Sequence, residues 1–257
     1  MNVLNIYNPF GAPVYFVETA ASTMDISRQL ALTGEVHGTV IMADFQESGR
    51  GRVRGRSWEM DRGNLPFTVL LRFPQIEDIP AALTLRTGLA VSYAIEDFAV
   101  SLKGSVMVKW PNDIMIDSKK TAGILCEAGG GNVHVGIGIN FSQKEFPAHL
   151  KDKAASIALA AAGDFSQDDR FNLLEKILVQ LYSELTAVQD GNTWKIRLEE
   201  RLYKNGGQVV FIEGAAGSGR EVKGRLTGIG NGGELLIIPD GETAARSFVT
   251  GELRCMN

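Results

Sequence analysis

Cysteine is nearly absent from this chain, which has two, Cys126 and Cys255, in 257 residues. They have no CxxC spacing and no close histidine, so a disulfide framework is excluded and no zinc-binding pattern is legible. Histidine is equally scarce: His37, His134 and His149 are scattered, and no Ser/His/Asp or Cys/His grouping can be read around them. Long hydrophobic runs are also missing. The opening MNVLNIYNPFGAPVYF lacks a basic stretch followed by an uninterrupted apolar one, and no apolar run approaches the length of a membrane span. The expected setting is therefore cytoplasmic, with no membrane partner. Basic charge is not in excess either, since 26 Lys and Arg stand against 30 Asp and Glu. That balance argues against nonspecific nucleic-acid binding by the whole surface.

The basic residues that are present concentrate in one place. Residues 49–58 read GRGRVRGRSW, with four arginines and three glycines between positions 49 and 56 of a chain whose net charge is −4. Glycine lets the backbone approach a ligand closely, and arginine offers a planar donor fork suited to phosphate or carboxylate. A disordered RNA-binding tract would share this composition. Strand-like TVIMADFQ and NLPFTVLLR bound the segment, which favours a phosphate-handling loop held between two ordered strands. Mutually repelling arginines on a permissive backbone also predict a loop that is mobile without ligand and closes on binding.

With 44% hydrophobic and 22% charged residues, the chain can bury a core for one large domain, or for one plus a small one. VYFVE from Val14 reads as a strand, and Ser22, Thr23 and Asp25 supply helix-start chemistry before MDISRQLAL, which stops at Gly34. Apolar residues at helical spacing from Pro80 to Leu102 predict a long core helix. Between Ser105 and Asn140, VMVKW, PNDIMID, TAGILCEA and VHVGIGIN alternate with turn signals, as in an antiparallel meander. Helices are expected near Ser156 and from about Asp168 to Gln189. From about Lys204, four short β-like runs separated by glycine-rich turns predict a small barrel resembling the Src-homology-3 type. The expected fold class is α+β: a mixed β-sheet covered by helices over residues 1–203, and the small barrel over residues 204–257.

The Gly-Arg segment, KWPNDIMIDSKKTAGILCE and VGIGIN, in that order and at these separations, resemble the biotin protein ligases. ETAASTMD and the terminal barrel extend the likeness over nearly the whole chain. The resemblance implies the biotin/lipoate ligase catalytic fold and ATP-dependent joining of biotin to a lysine of a biotin carboxyl carrier domain, through biotinyl-5′-AMP. It points to the short form of the family, because the catalytic region begins within about fifteen residues of Met1. That is too few for the winged helix of the repressor members, so DNA is not an expected partner. A homodimer, or pairing of a carrier at an exposed sheet edge, is compatible with the family.

The resemblance assigns residues to three requirements of the chemistry. Biotin has an apolar bicyclic body with a polar ureido edge, so its pocket needs apolar walls and a few orienting groups. Ser22, Thr23 and Gln46 match the ureido side, and Gly49, Gly123 and Ile124 match positions of backbone and apolar approach; helix capping is an equal reading of Ser22 and Thr23. Arg50, Arg52 and Lys120 match the cations that stabilise charge at the carboxyl and phosphoryl groups, with Arg50 and Lys120 also against biotin. Without the family, Lys120 reads as a solvated hairpin lysine beside Lys119. The third requirement is a site for ATP and Mg2+. Asn112 and Asp113 offer nucleotide- and metal-side oxygens, with Asp113 as the metal ligand, although Pro111-Asn112-Asp113 also suits a plain turn. Trp58 and Asn140 match adenine-side positions, with a core tryptophan as the rival reading of Trp58, and Lys109 adds charge nearby.

Two departures from the family pattern stand out. The usual GRGRxGRxW is one residue longer here before Trp58, which bears on Arg54, Arg56 and Trp58 more than on Arg50 and Arg52, and Met24 replaces a frequent asparagine. A lipoate or octanoate ligase or transferase of the same superfamily is the nearest alternative. A thioester-forming transferase would need an activated cysteine, and Cys126 lies in an apolar strand-like run with no cue for a depressed pKa. A noncatalytic RNA-binding protein is the alternative from another class.

Overall fold

A computed structural model describes residues 1–53, 55, 57–58, 61–186, 193–214 and 219–254. The first strands along the chain are β1 (Asn2–Val3), β2 (Val14–Ala20) and β3 (Thr39–Gln46), followed by the two short strands β4 (Gly49–Arg50) and β5 (Ser57–Trp58) of a separate ribbon. Then come β6 (Leu65–Arg72), β7 (Met107–Lys109), β8 (Asp113–Ile116), β9 (Lys119–Gly129) and β10 (Asn132–Ile139). Apart from the ribbon, these strands make one eight-stranded sheet in the order β1-β2-β3-β6-β10-β9-β8-β7. Only β2 and β3 run parallel, and the crossover that parallel pairing demands is supplied by α1 (Thr23–Leu32). The rest of the sheet is antiparallel, as the meander signals imply.

The two faces of the sheet do different work, and the alternation of side chains separates them. Leu65, Phe67, Val69 and Leu71 of β6, with Val133, Val135, Ile137 and Ile139 of β10, enter one apolar core. Two helices cover that face, α2 (Leu83–Phe98) and α4 (Asp169–Thr186), whose buried residues recur at helical spacing. The opposite face presents Thr68, His134 and Gly136, and α1 lies across it: Thr23 Oγ1 meets Thr68 Oγ1 at 2.8 Å, and Ser27 Oγ meets His134 Nδ1 at 2.8 Å. Cys126 is on β9.

Several expected boundaries shift. The core helix expected over Pro80–Leu102 is α2 followed by a 3-10 turn at Val100–Leu102. It breaks there because the Glu96 carboxylate accepts the backbone N–H groups of Gly104 and Val106 and draws the chain back across the helix end. Near Ser156 the expected helix is the short α3 (Ile157–Ala161), capped by the Ser156 hydroxyl. The expected end of α4 near Gln189 falls outside the described residues. A fifth helix, α5 (Thr193–Glu200), has no counterpart in the sequence signals; only Trp194 and Leu198 are buried along it, too few to make a periodic pattern.

After α5, residues 201–203 close the β7 edge of the sheet through Val108 N to Arg201 O (2.8 Å) and Tyr203 N to Val108 O (2.9 Å). The chain then forms a five-stranded antiparallel sheet of the small SH3-like kind: β11 (Gln208–Glu213), β12 (Glu221–Ile229), β13 (Leu235–Pro239), β14 (Arg246–Phe248) and β15 (Gly251–Arg254), ordered β14-β13-β12-β11-β15. Four runs were expected. The last, ARSFVTGEL, divides so that β14 pairs with β13 and β15 crosses to β11. Gly251 allows the crossing, because a Cβ there would fall 2.1 Å from the Phe211 ring. Among the described residues, no helix is long and apolar enough to cross a membrane.

Candidate active site

The Gly-Arg segment folds back onto the α1 face of the sheet. Its two ends form the β4–β5 ribbon, with Gly49 opposite Trp58 and Arg50 opposite Ser57. That register returns Trp58 to the sheet despite the additional residue; Arg54 and Arg56 lie outside the described residues. Gly49 is required by the pairing, since a Cβ would sit 2.6 Å from the Trp58 carbonyl oxygen.

Beneath the ribbon, Gly123 of β9 and Gly138 of β10 face each other across the strands and make a flat floor. The Trp58 indole lies on it: a Cβ on Gly123 would meet Cζ3 at 2.9 Å, and one on Gly138 would meet Cε2 at 3.1 Å. Its indole N–H is buried and finds no acceptor among the described residues. Trp58 is half-buried rather than a core residue, and it borders three adjoining cavities.

The first cavity, of about 70 Å³, runs from a polar end to a cationic one. At the polar end Ser22 and Thr23 are buried. The Ser22 hydroxyl accepts from Met24 N at 3.3 Å, so it caps α1, and Gln46 Oε1 accepts from Thr23 N (2.9 Å) and Thr23 Oγ1 (3.2 Å). Capping and pocket lining are therefore combined in one turn. Met24 turns its sulfur toward Gly136 and lines the wall with Ile124.

At the cationic end stand Arg50, Arg52 and Lys120. Each is engaged. Arg50 Nη2 pairs with Asp25 Oδ2 at 2.5 Å, Arg52 Nη2 donates to the Gly251 carbonyl at 2.8 Å, and Lys120 Nζ pairs with Asp113 Oδ1 at 2.5 Å while lying 5.1 Å from the Trp58 ring centroid. Lys120 stands on β9 just past the hairpin turn made by Asp117 and Ser118, both at positive φ, with its side chain 35% exposed and its amine held by Asp113.

The second cavity, of about 140 Å³, is bounded by Lys109, Asn112, Asp113 and Lys120 on one side and by Glu252 and Leu253 of the C-terminal sheet on the other. Asn112 Nδ2 donates to Ile124 O at 2.9 Å, and the residue lines both the first and the second cavity. The third, of about 200 Å³, is lined by Trp58, Lys120 and Asn140 together with Phe146, Leu150 and Lys153. Asn140 is buried, and its Nδ2 donates to Ala155 O at 3.2 Å, so it shapes this cavity by fixing the segment that follows it. The sequence reading missed Phe146, Leu150 and Lys153, and it gave Met24 and Asp25 no part in lining or pairing within the site. The glycine alternation in VGIGIN was the signal for an open floor, but nothing in the pattern pointed to what would rest on it.

Cys126 offers no nucleophile. Burial pushes its thiol up to about 11, and a hydrogen bond with Thr84 only partly offsets that.

The model of the biotin/lipoate A/B protein ligase family matches residues 16–142. The chain is 36% identical over 180 residues to the bifunctional ligase/repressor BirA of Bacillus subtilis, covering 66% of this chain and 52% of that protein. To the biotin--[acetyl-CoA-carboxylase] ligase of Mycobacterium tuberculosis it is 28% identical over 181 residues, covering 68% and 64%. The chain therefore spans about half to two thirds of these relatives' lengths. Among solved structures, the biotin protein ligase from Aquifex aeolicus in complex with biotin and ATP superimposes with a TM-score of 0.79 at 27% identity, covering 94% of this chain and 97% of that one.

Proposed function

We propose that this chain is an ATP-dependent biotin protein ligase, which forms biotinyl-5′-AMP and transfers the biotinyl group to a lysine of a biotin carboxyl carrier domain. The observation that carries this reading is a single cavity with hydrogen-bonding groups at one end and three cations at the other, opening beside Trp58 into two further cavities. Biotin's ureido edge fits the Ser22, Thr23 and Gln46 end. Its bicyclic body lies along Ile124, Gly123 and Gly49, and its carboxylate reaches Arg50 and Lys120. The nucleotide takes the adjoining cavities, with Trp58 and Asn140 on the adenine side, and Lys109, Asn112, Asp113 and Arg52 around the phosphates.

In the first step a biotin carboxylate oxygen attacks the α-phosphorus, the bond to the β-phosphate bridging oxygen breaks, and pyrophosphate leaves. Arg50, Arg52 and Lys120 are placed to hold the charge that develops, and fixed donors of this kind stabilise it without reorganisation. In the second step the neutral amine of the acceptor lysine attacks the acyl carbon, AMP departs and the amine gives up a proton. Lys120 must part from Asp113, and Arg50 from Asp25, to serve these roles.

Mg2+ fits at Asp113 in one way only. The described residues hold no group of three or more His, Cys, Asp or Glu that could cage a metal, whereas Mg2+ is commonly held by one or two carboxylates together with substrate phosphates. Arriving with the nucleotide, it would offset phosphate repulsion while Asp113 exchanges Lys120 for it. In this reading residues 1–203 carry the chemistry, residues 204–257 form the small second domain, and the reaction is a cytoplasmic one, where ATP is at hand. The carrier domain, or a second copy of the chain, has the β1 edge to pair with, since β7 is closed by residues 201–203.

Biotin-dependent ATP–pyrophosphate exchange with magnesium, run with lipoate and octanoate as competing acids, tests the proposal. Exchange with biotin alone is expected, and Lys120→Ala should reduce it about a hundredfold or more. Exchange supported by lipoate or octanoate instead would reassign the substrate, and no exchange with any acid would remove the adenylating mechanism.

A further inference from the structure

We propose that Asn64 is a positioning residue that ties the end of the Gly-Arg segment to the segment bounding the nucleotide-side cavity, and so holds the two walls of the site in register. The inference rests on the proposed ligase reading for its kinetic consequence, but its geometry stands apart from it.

Asn64 lies just before β6 and is completely buried. A buried carboxamide must satisfy both its oxygen and its nitrogen, and this one does so on a single distant stretch of chain. Its Oδ1 accepts from Phe141 N at 3.0 Å and its Nδ2 donates to Gln143 Oε1 at 3.0 Å. The orientation is fixed, because a backbone N–H can only donate. Next to it, the Gly63 carbonyl accepts from Ser142 N (3.3 Å) and Ser142 Oγ (2.9 Å). Gly63 is at φ +87°, and a Cβ there would fall 2.4 Å from that hydroxyl. Four hydrogen bonds therefore join residues 63–64 to residues 141–143.

The joint is braced from behind. Asp44 of β3 receives Arg62 at 2.6 Å and Arg170 of α4 at 2.7 Å, and Arg170 Nη1 also donates to the Asn64 carbonyl at 3.4 Å. On one side of this joint the chain runs back to Trp58, Arg52 and Arg50. On the other it runs from Asn140 through Phe146, Leu150 and Lys153 to Ala155, whose N–H donates to Lys120 O at 3.0 Å. The polar end of the first cavity, built from α1 and β3, is held by its own hydrogen bonds between Thr23 and Gln46. Loss of the carboxamide should therefore disturb the nucleotide side and spare the other.

The test uses Asn64→Ala and Asn64→Asp in the full chain, with ATP and biotin varied separately in the exchange assay. In Asn64→Ala the KM for ATP is expected to rise about tenfold or more, while the KM for biotin stays within about threefold. Asn64→Asp keeps the acceptor for Phe141 N–H but has no donor for Gln143 Oε1, so it should preserve the protection of the Phe141 amide better than Asn64→Ala does. Equal rises in both constants, or no change in either, would overturn the proposal. Amide hydrogen exchange provides the second readout: the Phe141 amide should exchange about tenfold faster or more in Asn64→Ala, with β10 amides such as Val135 unchanged. Acceleration spreading through β10, or none at Phe141, would also overturn it. If the wild-type chain shows no biotin-dependent exchange, the ligase reading fails and the amide measurement alone decides the role of Asn64.

Discussion

At the scale of single residues, the site is defined as much by what two glycines omit as by what the cations supply. Gly123 and Gly138 leave space for the Trp58 indole, but not equally. An added Cβ at 123 would be 2.9 Å from Trp58 and 3.3 Å from Lys120 Nζ, while one at 138 would be 3.1 Å from the indole. The first requires a shift of the indole and a small one of the lysine, and the second needs a few tenths of an ångström. Gly123→Ala is accordingly expected to cost about a hundredfold in kcat/KM, because misplacing a reacting group by an ångström has effects of that order. Gly138→Ala should cost markedly less. Steady-state exchange kinetics on the two variants would decide it, and equal losses would mean that Trp58 does not rest on this floor during the reaction.

At the scale of elements, buried ion pairs hold the helices and strands that carry the site. Arg201 forms a two-pronged pair with Glu96 at 2.7 and 2.8 Å and lies 4.2 Å from the Tyr93 ring centroid, joining α2 to the chain that closes β7. Burial alone would raise the Glu96 pKa, but the hydrogen bonds and charge of Arg201, with the amides of Gly104 and Val106, outweigh it and hold the carboxyl below its usual value of 4.5. A carboxyl depressed in the folded state contributes stability above its unfolded pKa and loses it as the pH falls through the folded one. Denaturant titrations should therefore show stability declining as the pH drops below about 4.5, and Glu96→Gln should remove that component of the decline. At neutral pH the same variant should be less stable by about 3 kcal/mol, since Arg201 then keeps a buried charge without its partner. An unaltered acid limb in Glu96→Gln would show that other carboxylates govern it.

Much of this layer was legible from the sequence. Strand-like runs separated by turn signals located the strands of the meander, and Ser22 and Thr23 marked the start of α1, because those signals lie within a few neighbouring residues. The arginines and glycines of residues 49–58 announced an anion site for the same reason. What stayed hidden depends on partners far apart in the chain: Asn64 with Phe141, Asp44 with Arg170, Arg50 with Asp25, and Trp58 with its two glycines. The division of ARSFVTGEL into β14 and β15 was hidden for a related reason, since only the Phe211 ring behind Gly251 shows why the strand must break.

At the scale of the whole molecule, the C-terminal sheet is bound to the larger sheet more closely than a boundary at residue 203 suggests. Trp110 is buried, donates its indole N–H to Gly233 O at 2.9 Å, and packs 5.8 Å from the Phe211 ring centroid. Glu199 of α5 accepts from Ile229 N at 3.0 Å, and Arg52 reaches the Gly251 carbonyl from the site itself. Val209, Phe211, Leu226 and Ile237 belong to the same apolar core as β6 and α2. A core shared in this way makes partial unfolding expose apolar surface on both sides of the junction, so the two sheets should unfold together. Calorimetry on the intact chain is expected to show one endotherm whose calorimetric and van't Hoff enthalpies agree. Trp110→Ala removes the centre of the junction at a cost of about 3–5 kcal/mol, and should split or broaden that transition as the C-terminal sheet melts first. Two separate endotherms in the unaltered chain would mean that the small sheet is an independent unit and that its contacts with Arg52 and Trp110 only dock it beside the site.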